Sequence, residues 1–265
     1  MDTSLIDEFE LDWRLAGKAP QTAKDYAKYL RQLLDVHSEP TLQQARQWLL
    51  ECQSHATRRK RAQAIRAFGT WSSSAGYGAM SWWRSIRVPR DIQRPQPTAT
   101  IEDYRKAREL FTTAKMTAIV EVMWSCGLRR GELARLEIED INFAESFLVV
   151  RRSKTGVPRV CPLSPTARQA LRRCVGSRLS GSVLGMSSNA IRLALQRAGL
   201  PACHAWRRGW AVHALRCGVS ETSVRAVAGW ASGAMVSRYT RALSSELART
   251  EFAQRWALGH QIRPT

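Results

Sequence analysis

With 265 residues, 44% of them apolar, the chain has room for two domains with ordinary cores. A formal net charge of +19 points to a polyanionic partner. No run reaches about 18 apolar residues and no basic helix carries a matching apolar face, which excludes a spanning helix and an interfacial anchor.

The charge is unevenly placed. Residues 1–97 carry 15 basic and 10 acidic side chains, and the remainder carries 26 and 12. From Ser146 to Ser220 there is no Asp or Glu at all. A face that is only solvated normally intersperses acids, so nucleic acid is the expected partner. The first eight residues are acidic and amphipathic, unlike a signal or transit peptide. The cysteines (Cys52, Cys126, Cys161, Cys174, Cys203, Cys217) form no C-x-x-C pair and read as reduced, mostly buried thiols of a cytosolic protein. Cys203 and His204 are the one close pair of ligand types, too few for zinc, so no metal and no cofactor is expected.

The first part of the chain reads as helices. Leu5, Phe9 and Trp13 mark one apolar face that ends at Gly17. Thr22 is placed to cap a second helix with Tyr26, Tyr29, Leu30, Leu33 and Leu34 at helical spacing, and Thr41 a third with Leu42, Ala45, Trp48 and Leu49 inward. Thr57 opens a fourth, with Arg58, Arg59, Lys60 and Arg61 in its first turn and Ile65, Phe68 and Trp71 as its buried stripe. Cations there oppose the helix dipole, a placement that makes sense if phosphates compensate it. The alternative is that long side chains reach water.

Val88 to Thr98 carries three prolines and no periodicity, and reads as a linker. Thr100 with Asp103 forms a capping box for the next helix. Another helix, about Lys115 to Cys126, ends at Gly127. Phe147–Arg152 and Val157–Leu163 read as two strands of a hairpin around Lys154-Thr155-Gly156. Ser164-Pro165 starts a further helix, and Ser188–Leu200, Ala205–Cys217, Ser220–Ala228 and Ser244–Leu258 are helical runs. In the last of these, Leu247, Phe252, Trp256 and Leu258 are available for burial.

Five short motifs lie in the second part. Gly127-Leu128-Arg129-Arg130-Gly131-Glu132-Leu133 is followed by Leu136 and Asp140-Ile141-Asn142-Phe143. Then come Ser153-Lys154-Thr155-Gly156, His204-Ala205-Trp206-Arg207, Gly229-Trp230 and Tyr239. In this order they resemble the tyrosine recombinases, the phage integrase family, across about residues 100–255. One piece alone would be worthless; the ordered set is specific. Two departures stand out. Arg208 and Gly209 replace the His and Thr/Ser that usually follow H-x-x-R, and Trp230 replaces the commoner histidine.

The resemblance implies a mainly α fold with a small antiparallel β-sheet: a helical core-type DNA-binding domain (1–90), a linker (91–98) and a catalytic domain (99–265) with a tail helix. It implies no arm-binding domain ahead of these. It assigns Arg129 and Arg207 to the non-bridging oxygens of a DNA phosphate, since guanidinium forks match them. Tyr239 is the implied nucleophile, Lys154 the acid for the leaving 5′ oxygen, and Trp230 an indole N–H donor. His204 is implied to assist proton transfer or bind the phosphate. Arg58, Arg59, Lys60, Arg61, Arg151 and Arg152 are expected on DNA. The implied chemistry passes through a 3′-phosphotyrosine link and needs neither metal nor ATP. The implied assembly is a homotetramer on double-stranded DNA with an accessory directionality or DNA-bending protein, inside a bacterial host. The expected function is integration and excision of a phage or mobile element. Alternatives are a chromosome- or plasmid-dimer resolvase, a transposon recombinase, a type IB topoisomerase with the same chemistry, and a basic DNA-binding module that retains only the fold.

Overall fold

A computed structural model of the chain describes residues 3–77, 81–92, 96–151, 158–230, 233, 248–249, 252–253 and 256. The chain divides into two compact units, Met1–Arg94 and Pro95–Thr265.

The first unit is helical: α1 (Ser4–Leu15), α2 (Pro20–Val36), α3 (Leu42–Leu50), α4 (His55–Ser74) and a 3-10 turn at Ser81–Ser85. Its core gathers Ile6, Phe9, Leu30, Leu33, Ile65, Phe68 and Trp83, all essentially fully buried. Phe68 meets Phe9 edge-on at 5.5 Å and Trp83 at 5.1 Å. Gly69 makes that last contact possible, because a Cβ there would lie 2.5 Å from Cβ of Trp83.

Two helix starts differ from expectation. α2 begins at Pro20, whose fixed φ suits a first helical position, so Thr22 lies inside the first turn and does not cap it. α4 is capped by Ser54, whose hydroxyl accepts the Thr57 N–H. Arg58–Arg61 therefore fall a turn later than the dipole argument required. Arg58 donates to the carbonyls of Leu49 (3.0 Å), Leu50 (3.1 Å) and Cys52 (2.9 Å). Arg61 stacks over Trp48 at 4.0 Å and donates to Cys52 Sγ at 3.0 Å. Both cations serve the C-terminal end of α3, where the dipole favours them. Arg59 is half-buried, and Lys60 alone of the four is exposed.

The second unit contains α5 (Ile101–Leu110), α6 (Ala114–Cys126), α7 (Arg130–Ala134), a 3-10 turn (Ile138–Asp140), β1 (Ile141–Asn142), β2 (Phe147–Val150), β3 (Arg159–Pro162), α8 (Pro165–Val175), α9 (Ser188–Arg197), α10 (Cys203–Arg216) and α11 (Glu221–Ala228). The sheet is antiparallel in the order β1-β2-β3, with Phe147 opposite Pro162 and Val150 opposite Arg159. The fold class is thus mainly α with a small antiparallel sheet. The capping boxes at Thr41 and Thr100 form as their spacing dictates, as does the Ser164 cap before Pro165. β1, too short to show a period of two, is an addition to the sequence reading, and β2 and β3 are shorter than expected.

α6 is the central helix, buried from Ala118 to Met123. Its one internal acid, Glu121, accepts bonds from the Tyr104 hydroxyl (3.1 Å) and pairs with Arg108 (3.1 Å), so no buried charge is left unsatisfied there. α8 and α10 pack against α6. Of the tail run Ser244–Leu258, the described positions 248–249, 252–253 and 256 are helical. Phe252 and Trp256 touch at 5.5 Å and are exposed on the single chain. Leu247 and Leu258 lie outside the described residues.

Candidate active site

The site begins where α6 stops. Gly127 adopts φ 56°, a left-handed conformation that releases the chain from the helix. No other residue fits, because a Cβ would lie 2.3 Å from the Trp210 ring. Arg129 follows as the residue that caps α7. The carboxylate of Glu132, three positions on, accepts the Arg129 backbone N–H and its Nη1, each at 2.8 Å. The Arg129 side chain remains 23% exposed, enough for a phosphate to reach it.

α10 carries His204 and Arg207. The helix runs unbroken through Gly209, and the departure from the family pattern there has a steric cause. A Cβ on Gly209 would lie 2.3 Å from the carbonyl oxygen of Ala99. The Ala99 N–H donates to Ala205 O (3.0 Å), and Arg208 Nε donates to Pro97 O (2.7 Å). The end of the expected linker is therefore strapped to α10.

Arg207 is buried, 5% exposed. Its Nη1 donates to Gly127 O at 2.5 Å and its Nη2 to Ala228 O. It also stands 5.1 Å from the Trp230 ring. Burial, then the charge of Arg129, pushes its pKa down to about 9, still cationic at neutral pH. The partial negative charge at the C-terminal ends of α6 and α11 compensates part of this buried charge. Partial burial, then the charges of Arg208, Arg207, Arg130 and Arg129, lower the His204 pKa, which keeps the ring neutral at pH 7.

Trp230 is buried with Trp210, Val224 and Ala228. It directly follows Gly229, where α11 ends at φ 63°. Arg129, Arg207 and Trp230 are thus brought together by the ends of α6 and α11 and the starts of α7 and α10. Arg151 is turned toward Asp140 (2.6 Å) but is otherwise exposed. Arg58, Arg59, Lys60 and Arg61 belong to the first unit. Lys154, Arg152 and Tyr239 lie outside the described residues. The Val150–Arg159 pairing makes 151–158 the connection between β2 and β3.

Two residues had no assigned role in the sequence reading. Glu132 was legible as a carboxylate three positions after a capping residue. Arg159 gave no signal beyond strand alternation, which places it inward beside Cys161. Its Nη1 and Nη2 donate to Glu132 at 3.1 and 2.6 Å. Burial pushes the Glu132 carboxyl up, but hydrogen bonds from Arg159 and Arg129 outweigh it and hold the pKa at about 2. A depressed carboxyl contributes stability that is full above the ordinary 4.5 and lost as pH falls toward 2. Acid unfolding followed by circular dichroism should show a limb in that window that Glu132→Gln lacks. Superimposable limbs would remove Glu132 from the acid response. Among the described residues no three His, Cys, Asp or Glu side chains are grouped to hold a metal, and no helix is long and apolar enough to cross a membrane.

Comparison with known proteins places this geometry. The model of the "Phage integrase family" matches residues 103–246. Tyrosine recombinase XerA of Pyrococcus horikoshii is 23% identical, covering 93% of this chain and 92% of the relative. Tyrosine recombinase XerC of Mycobacterium leprae is 26% identical, covering 92% and 96%. The fold is similar to a lambda integrase dimer bound to a core site (TM-score 0.72, 21% identity, 89% of this chain and 76% of that one). It is also similar to the Tn1549 transposon integrase in complex with circular intermediate DNA (TM-score 0.69, 17% identity, 94% and 98%). The matched span runs from α5 past Tyr239 and takes in every motif position from Arg129 onward, so the chain belongs to the phage integrase family and is a tyrosine site-specific recombinase.

Proposed function

We propose that this recombinase integrates and excises the genome of a phage or another mobile element, acting on double-stranded DNA. The observation that carries the chemistry is the convergence of Arg129, Arg207 and Trp230 on the shared ends of α6 and α11. Arg207 spends two of its five N–H groups on Gly127 O and Ala228 O. That anchors a guanidinium whose remaining donors can meet a phosphate, with no reorganisation when charge develops. The Tyr239 oxygen attacks phosphorus, the P–O5′ bond breaks, and the protein is left on a 3′-phosphate. Lys154 gives the leaving oxygen its proton, and neutral His204 is suited to take the phenolic one. A 5′ hydroxyl from a second duplex reverses the step.

DNA as partner is supported by the acid-free stretch from Ser146 to Ser220 and by the DNA-bound lambda and Tn1549 integrases. In this reading the first unit is the core-type DNA-binding domain, with Lys60 on the phosphates. The exposed Phe252–Trp256 pair is the contact through which protomers assemble as a tetramer. Integration is favoured by the lambda and transposon integrases. Dimer resolution is a second reading, because relatives spanning over nine-tenths of the chain are XerA and XerC recombinases.

The test uses a nicked duplex whose core sequence is selected from random DNA by binding to the full chain. A covalent adduct should form, and its peptide should contain Tyr239. An adduct elsewhere, or none, overturns the reading. Recombination between two unlike sites supports integration, and recombination only between copies of one site supports dimer resolution.

A further inference from the structure

Arg159 is a buried cation that the chemistry above does not use. It stands on β3, the strand that follows Lys154, and its side chain is 6% exposed. All three of its nitrogens are engaged. Nη1 and Nη2 donate to the two oxygens of Glu132, at 3.1 and 2.6 Å, and Nε donates to Val227 O at 2.7 Å. Gly229 makes room for it, since a Cβ there would lie 3.0 Å from Arg159 Cδ. One guanidinium therefore joins β3, the first turn of α7 and the last turn of α11. Two of these elements adjoin members of the site: α7 is capped by Arg129, and α11 ends at Gly229, one residue before Trp230.

The electrostatics sharpen its role. Glu132 Oε1 accepts from Arg129 Nη1 and from Arg159 Nη1 at once. Two guanidinium groups share one carboxylate, so the trio keeps a net positive charge on the side where Arg129 is exposed. With Arg159 removed, Glu132 would pair with Arg129 alone and neutralise it. The end of α11 would also lose the shorter of two bonds to Val227 O, a carbonyl three residues before Trp230, and keep only the Cys161 thiol at 3.6 Å. Arg159 itself has Nε, Nη1 and Nη2 all bonded to α7 and α11, which gives it a holding role within the protein.

We propose that Arg159 is a positioning residue of the recombinase. It shares the Glu132 carboxylate with Arg129, so that Arg129 is not fully neutralised, and it holds the end of α11 that leads into Trp230. The inference rests on the recombinase reading, and its test separates the two. Arg159→Met would strand a buried carboxylate and is a poor probe, because loss of one partner of a buried pair destabilises strongly. Arg159→Lys keeps the charge but cannot make the fork and the Val227 bond together.

At saturating nicked duplex and well below its unfolding temperature, Arg159→Lys should form adduct about 10- to 100-fold more slowly, the order of loss that a small misplacement causes. Its half-saturating DNA concentration should change less than about threefold. In the DNA-free full chain, amide exchange at Arg129 and Trp230 should quicken at least about tenfold, while α8 is unchanged. A wild-type adduct rate in Arg159→Lys overturns the proposal. So does a loss confined to DNA affinity, or unchanged exchange at Arg129 and Trp230. If the wild-type chain forms no adduct, the recombinase reading fails while the exchange result still decides whether Arg159 positions these elements.

Discussion

Tyr239→Phe is expected to bind the nicked duplex within about twofold of the wild-type chain and to form no covalent adduct. The substitution removes one oxygen, and in the proposed mechanism that oxygen is the atom that forms the bond to phosphorus. The chain has five tyrosines, and the structure makes the others poor substitutes. The Tyr104 hydroxyl is committed to Glu121, and burial first, then that carboxylate, raises its pKa. Tyr77 donates to Glu8 at 2.6 Å, which raises its pKa as well. Burial raises that of Tyr26. Tyr26, Tyr29 and Tyr77 also belong to the first unit. A nucleophilic phenol needs the opposite, nearby cations that favour the phenolate, and those are gathered around Arg129 and Arg207. An adduct in Tyr239→Phe, detected as protein-linked labelled DNA after denaturation, would sink the assignment.

Arg207→Ala is expected to lose activity and stability together. A donor aimed at developing phosphate charge is worth on the order of 100- to 1,000-fold in rate, and single-turnover adduct formation should fall by at least that much. Removal also leaves Gly127 O and Ala228 O without their donor in a buried setting. Unsatisfied buried groups cost about 1–3 kcal/mol each, so the second unit should unfold several degrees lower. Arg207→Lys restores the charge but not the fork, and should recover stability better than rate. Rates must be compared at a temperature where every variant is folded. A wild-type rate in Arg207→Ala would end its phosphate role. Equal recovery of rate and stability in Arg207→Lys would mean that charge alone matters there.

The elements and motifs were largely legible because their determinants are local. A hydroxyl that caps a helix reaches an N–H three residues on, so Thr41, Thr100 and Ser164 announce their helices. Gly127 marks the end of α6 by the conformation its own backbone needs. Helix starts differ from the local pattern where two capping solutions compete. Pro20 outranked Thr22, and Ser54 outranked Thr57, each shifting a helix start by two or three residues. That small shift placed Arg58 and Arg61 against the end of α3, where they donate to its last carbonyls, bond Cys52 and stack on Trp48.

The sequence by itself determined the family, the order of Arg129, Lys154, His204, Arg207, Trp230 and Tyr239, and the basic surface that calls for DNA. These follow from residue identity and short spacing. The tertiary structure decided which cations are buried and what each one holds. Arg207 meets carbonyls 80 and 21 residues away, and Arg159 meets partners 27 and 68 residues away. A buried charge must find its compensation wherever packing brings a carboxylate or a helix end, and that choice is made between distant elements. No local pattern could have shown that Glu132 is shared by two arginines, or that the ends of α6 and α11 are the common anchor of the site.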